Sequence, residues 1–93
     1  MKEKFRCIDK YEAQKLASLI FIKDGGETFI TAVLDMIENE IIVGLKDKSA
    51  HSILLKDQRQ AETFADFIQS VIEKQHKIVQ TKIDDDEVEI EKR

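Results

Sequence analysis

The chain has 93 residues, enough for one small domain, and its 42% hydrophobic content supports a packed core over wholesale disorder. Its net charge of −4 is concentrated: residues 1–83 carry 13 basic and 13 acidic side chains, and residues 84–93 carry 2 and 6. A neutral body argues against general nucleic-acid binding, which wants a basic surface, and the lone Cys7 excludes an internal disulfide and suits a reducing, cytoplasmic setting.

No run reaches the ~18–20 apolar residues of a membrane helix, and no apolar stretch of a secretory leader follows the first residues. Lysine outnumbers arginine 12 to 3 and isoleucine occurs 13 times, usage that points to an AT-rich genome such as a low-GC bacterium or its phage.

Lys4 to Ile8 alternates, with Phe5 and Cys7 on one side, as in a short edge strand. Asp9 and Glu12 have the spacing of a capping box. The next segment reads two ways. Ala13, Leu16, Ala17 and Ile20 have helical spacing, whereas Leu19-Ile20-Phe21-Ile22 is a strand-like run ending at Gly25-Gly26, with Thr28 to Thr31 beyond. A strand over 16–23 is favoured. With a loop at 24–27 and a two-residue turn at Glu38-Asn39, the register puts Ala17, Leu19, Phe21, Ile30, Ala32, Leu34, Met36, Ile41, Val43 and Leu45 on one face.

His51 to Lys56 reads as a fourth strand. Asp57, with Gln60 three residues on, caps a helix from Gln58 to about His76, whose stripe is Ala61, Phe64, Ala65, Ile68 and Val71. Lys77 to Ile83 alternates weakly, as a late edge strand or a segment ordered by a partner. Asp84-Asp85-Asp86-Glu87 begins a solvated acidic tail.

The expected fold is therefore α+β: a four-stranded antiparallel β-meander followed by one long packed α-helix, with a single domain at 1–83 and a flexible acidic C-terminal tail at 84–93. Over residues 16–76 this order of four strands then a helix resembles the single-stranded-DNA-binding transcriptional coactivator fold. The resemblance is in topology alone; no binding residue of that family has a counterpart here, so it carries over no function.

Chemistry is sparse. His51 and His76 have no Cys or His at ligand spacing, which disfavours zinc. Cys7 reads as a small buried hydrophobe, Gly25-Gly26 lacks the partners of a phosphate loop, and the run Asp84 to Glu87 lacks the glycine turn of a calcium loop. No catalytic, cofactor-binding or metal-binding residue is assigned.

The remaining signal is the second face of the meander, where Ile20, Ile22, Phe29, Val33 and Ile42 are too apolar for a wet sheet. That face needs a cover: a twin, a larger protein, or residues 5–11 of the chain itself. The expectation is a non-enzymatic protein-interaction module, a small regulator or inhibitor. It would contact its partner through those five residues and through Asp84, Asp85, Asp86 and Glu87, an acidic run that can occupy a basic groove in the manner of a nucleic-acid backbone or steer association. The alternative is a single-stranded nucleic-acid binder using Lys15, Lys23, Lys46, Lys48 and Lys56, with Phe29 as a stacking residue.

Overall fold

The computed structural model describes residues 1–20 and 30–93. Phe21, Ile22 and Phe29, together with Gly25-Gly26 and the hairpin expected there, lie outside the described residues. The element order is β1 (Lys2–Arg6), α1 (Lys10–Ile20), β2 (Ile30–Ile37), β3 (Glu40–Leu45), β4 (Ala50–Leu54), α2 (Gln58–Lys74), β5 (Ile78–Asp84) and β6 (Glu87–Lys92). The strands form two three-stranded antiparallel sheets, ordered β1–β6–β5 and β2–β3–β4. The fold is not a four-stranded meander followed by one long helix, and the topological likeness to the coactivator fold goes with it.

The first correction is at residues 16–20, which are helical. Asp9 accepts the Glu12 N–H at 2.9 Å and starts α1. Ala13, Leu16, Ala17 and Ile20 then fall on one buried stripe. The capping signal and the four-residue spacing outweigh the strand preference of Leu19-Ile20. The capping box is only half made: Glu12 Oε1 instead accepts the Leu54 N–H of β4 at 2.9 Å.

The second correction is the tail. Glu87 to Lys92 is the middle strand of its sheet, between β1 and β5. Its acidic count conceals a period of two: Val88 and Ile90 are fully buried, and Glu87, Glu89 and Glu91 point the other way. The chain ends meet there, with Lys2 opposite Glu91 and Phe5 opposite Val88.

The hairpin of β2 and β3 keeps the expected turn and the pairing of Met36 with Ile41, then departs from the expected register. Two bulges interrupt β2, between Ile30 and Ala32 and between Val33 and Asp35. Each inserts one residue and reverses the facing of the strand beyond it. Val33, not Leu34, therefore lies opposite Val43, and Ala32 and Leu34 move to the outer side, while Ile30 returns to the core. The positive φ at the turn falls on Glu38, at 55°. Asn39 serves elsewhere: its Nδ2 donates to the Leu55 carbonyl at 2.8 Å, and its own carbonyl accepts the Leu55 N–H.

The helix α2 is as the sequence indicates. Asp57 caps it, accepting the Gln60 N–H at 2.8 Å, and Gln75 closes it in the left-handed conformation. The two sheets meet at a corner, where Cys7 pairs with Leu55 and the Lys56 N–H donates to the Arg6 carbonyl at 2.9 Å. One core serves both sheets and both helices. Phe5, near the end of β1, meets the α2 rings of Phe64 and Phe67 edge-on at 5.1 and 5.2 Å. α1 lies over β5 and β6, and α2 lies over β2, β1 and β3.

Candidate interaction surface

The helices and the core occupy one side of the strands, so each sheet has an outer face. On β1–β6–β5 that face is charged. Lys2, Lys4 and Arg6 lie opposite Glu91, Glu89 and Glu87, with Gln80, Lys82 and Asp84 beyond. Arg6 reaches Asp86 at 3.4 Å and Glu87 at 3.6 Å, and Lys4 reaches Glu89 at 3.9 Å.

On β2–β3–β4 the outer face is largely apolar. Leu34, the inserted residue of the second bulge, lies over Gly44, where a modest side chain would meet its methyl groups at 3.4 Å. Thr31, inserted at the first bulge, donates its hydroxyl to the Gly44 carbonyl at 3.2 Å. Leu34 is 57% exposed and Ile37 55% exposed. Ile42 is half-buried between Asp35 and Ser52, and Leu54 is half-buried next to Glu40.

The seven described residues among the nine expected contacts do not come together. Ile20 is fully buried on α1, and Val33 faces inward against the core, so neither is available to a partner. Of the three described apolar residues, Ile42 alone lies on the outer face; Ile22 and Phe29 lie outside the described residues. Asp84 and Glu87 face each other at the end of the β5–β6 hairpin, and Asp85 and Asp86 form its turn, Asp85 with φ 56°. The Asp86 carbonyl accepts the Cys7 N–H at 2.7 Å. This acidic run is a hairpin turn partly neutralised by Arg6, with a structural reason for its short polar residues.

The sequence reading misses Leu34 and Ile37. A signal was there: Gly44 inside an apolar strand often marks a bulge or a close approach of a neighbouring chain. Of the lysines of the nucleic-acid alternative, Lys23 lies outside the described residues, and Lys15, Lys48 and Lys56 are dispersed. Lys15 pairs with Glu12 at 3.1 Å on α1, Lys48 lies in the β3–β4 turn, and Lys56 follows β4 at the other end of the strands.

One Asp-Ser-His grouping occurs, in the β3–β4 turn. Ser49 Oγ bonds to Asp47 Oδ1 and lies 2.9 Å from His51 Nε2. A nucleophilic triad needs the histidine between the other two, free to take the serine proton. Here the serine donates to the aspartate, so His51 can only donate to the serine. The Ser49 hydroxyl, and then its N–H, hold Asp47 below the usual carboxylate range. Burial, with Glu12, Asp86 and Asp9 nearby, pushes the Cys7 thiol up to about 12, against thiolate chemistry. Among the described residues no acidic, Cys or His group forms a metal cluster, and no helix is long and apolar enough to cross a membrane. No protein-family model, curated protein or solved structure matches this chain.

Proposed function

We propose that this chain is a non-enzymatic protein-interaction module, a small regulator or inhibitor, and that it pairs with a second copy through the outer face of β2–β3–β4. The observation that carries this reading is the exposure of Leu34 and Ile37, at 57% and 55%, beside Ile42 on a helix-free sheet face. Covering a large aliphatic side chain gains ~1.5–3 kcal/mol. A two-fold axis running along β3 would stack two such faces and lay β4 of one copy over β2 of the other, with the two Glu40 side chains meeting at one end and weakening the contact.

Size and charge limit the contact. Three strands ~4.8 Å apart and roughly 20 Å long project onto about 300 Å², well under the ~800 Å² per partner of a standard interface. A sideways shift would set the apolar face over the lysine and glutamate rows of β1 and β6 and desolvate their charges. A weak pair is expected, with a dissociation constant in the micromolar range or above. The free, buried Cys7 fits a cytoplasmic setting, and the lysine and isoleucine usage fits a bacterial or phage source.

Sedimentation equilibrium across a wide concentration range tests this. Wild type should shift from monomer to dimer, and Leu34→Lys and Ile42→Lys should stay monomeric with nearly unchanged melting temperatures. Wild type that is monomeric up to about 1 mM would rule out the pairing, since a contact weaker than that is worth less than ~4 kcal/mol.

A further inference from the structure

We propose that the cleft at the C-terminal end of α2 binds a phosphate-class anion, with Lys92 and Ser70 at its base and Lys74 and Arg93 at its rim. The cleft is lined by Met1, Ser70, Lys74, His76, Lys92 and Arg93 and measures about 490 Å³, within the ~300–1,000 Å³ of small-ligand pockets. No Asp or Glu side chain lines it; of its lining residues, Met1 carries the terminal ammonium, which donates to the Lys92 carbonyl at 3.0 Å, and Arg93 carries the terminal carboxylate.

The alternation of β6 produces this site. Lys92 follows Val88 and Ile90 on the core-facing side, so a lysine occupies a position where the strand otherwise buries aliphatic groups. Its residue exposure is 8%. The ammonium donates to Ser70 Oγ at 3.3 Å and sits 4.9 Å from the centre of the Phe67 ring. Both partners are neutral, and no carboxylate among the described residues forms an ion pair with Lys92. Glu3, opposite Ile90 on the same side of the sheet, forms none with any of the cleft cations.

The ammonium is part-buried at the cleft and forms no ion pair with a carboxylate among the described residues, and two further cations beside it add repulsion that an anion would relieve. Ser70 and Lys74 are one helical turn apart and project from the same face of α2. Ser70 Oγ accepts from Lys92, which leaves its own proton for an acceptor in the cleft. An ammonium, a hydroxyl proton and a second ammonium around one hollow, with Arg93 among its lining residues, are a donor set for phosphate oxygens that outweighs the carbonyl end of α2. Lys77 and His76 line the adjoining groove with Gln75 and continue the basic surface. The site lies at the strand ends, away from the outer face of β2–β3–β4, and stands independently of the pairing proposed above.

The shared chemistry is the phosphate group, carried by a small phosphorylated molecule or by a nucleic-acid backbone, and two arms separate these sources. Isotope-labelled full-length chain is titrated with pyrophosphate at constant ionic strength, following amide shifts. A fluorescent single-stranded oligothymidylate is titrated with the chain, following anisotropy. Saturable shifts at Ser70, Lys74, His76 and Lys92 are expected. Affinity should fall about tenfold or more in Lys92→Met and in Lys74→Gln, as for loss of a charged hydrogen bond. Lys74 is exposed, so its variant reports on binding even if Lys92→Met alters the core. Pyrophosphate binding with no oligonucleotide binding assigns a small ligand. Oligonucleotide binding that weakens in Lys74→Gln and with salt assigns a backbone phosphate. Failure of both to saturate by about 10 mM, weaker than any useful site, or affinities unchanged in both variants, overturns the proposal.

Discussion

The two sheets bury similar inner faces and present opposite outer ones. On β1–β6–β5, a row of Lys2, Lys4 and Arg6 lies against a row of Glu91, Glu89 and Glu87. Each charge has an opposite neighbour within its own chain, and water solvates what remains. On β2–β3–β4, Leu34 and Ile37 are uncharged and more than half exposed, with Ile42 half-buried beside them. A cross-strand charge ladder completes itself in the monomer, whereas exposed aliphatic surface gains free energy only when something else removes it from water. The difference locates the candidate contact on one half of the molecule and leaves the other half as scaffold.

The scaffold role of the charged half is tested most severely at β6. Removing residues 87–93 takes away the strand between β1 and β5 and the fully buried Val88 and Ile90. The remaining chain should show no cooperative unfolding transition by circular dichroism in urea. A truncated chain that melts like wild type would return this segment to the status of a dispensable tail. Next in size is Phe64→Ala, which removes the edge-on partner of Phe5 and joins the fates of the two halves through α2. A loss of ~3–5 kcal/mol is expected from urea midpoints, the range for large aromatic truncations in a core.

Much of the fold is set by local pattern and some is not. Asp57 with Gln60, and the stripe of Ala61, Phe64, Ile68 and Val71, mark α2 because capping and helical spacing agree within one segment. The turn at Glu38-Asn39 is equally local. The pairing of Lys2 with Glu91 has no local trace, because those residues meet only after the whole chain has folded between them. The alternation of Val88 and Ile90 is visible in the sequence, but six acidic residues in ten outweigh it as a sign of solvation. The two bulges of β2 explain the misplacement of the surface itself. A strict period of two puts Leu34 inside and Val33 outside, and one inserted residue exchanges them.

The corner between the sheets offers a smaller effect, read through pH. Cys7 is buried there, and its thiol is pushed up to about 12 from an ordinary 9.0. Above pH 9 the unfolded chain releases this proton and the folded chain keeps it, so the folded state binds more protons and stability falls as pH rises. The slope approaches ~1.4 kcal/mol per pH unit between 9 and 12. Cys7→Ala should flatten that part of the stability profile, and wild type should resist iodoacetamide at pH 8 until it is unfolded. Rapid labelling of the folded chain would show that the joint between the sheets opens readily.

The smallest expected effect most directly compares the outer faces. Lys4 lies 3.9 Å from Glu89 and 4.0 Å from Glu87, but its side chain is 63% exposed. Exposed pairs of this kind contribute ~0.2–1 kcal/mol, and salt screens them. A double-mutant cycle with Lys4→Gln and Glu89→Gln should therefore give a coupling of about 0.5 kcal/mol or less, fading as salt is raised. Neither change should alter the sedimentation behaviour, whereas Leu34→Lys should alter sedimentation and leave stability nearly unchanged. A coupling above ~2 kcal/mol that persists in high salt would mean that the charged rows form a rigid, desolvated network. The charged half would then be the covered one, and the functional contact would belong on β1–β6–β5 in place of β2–β3–β4.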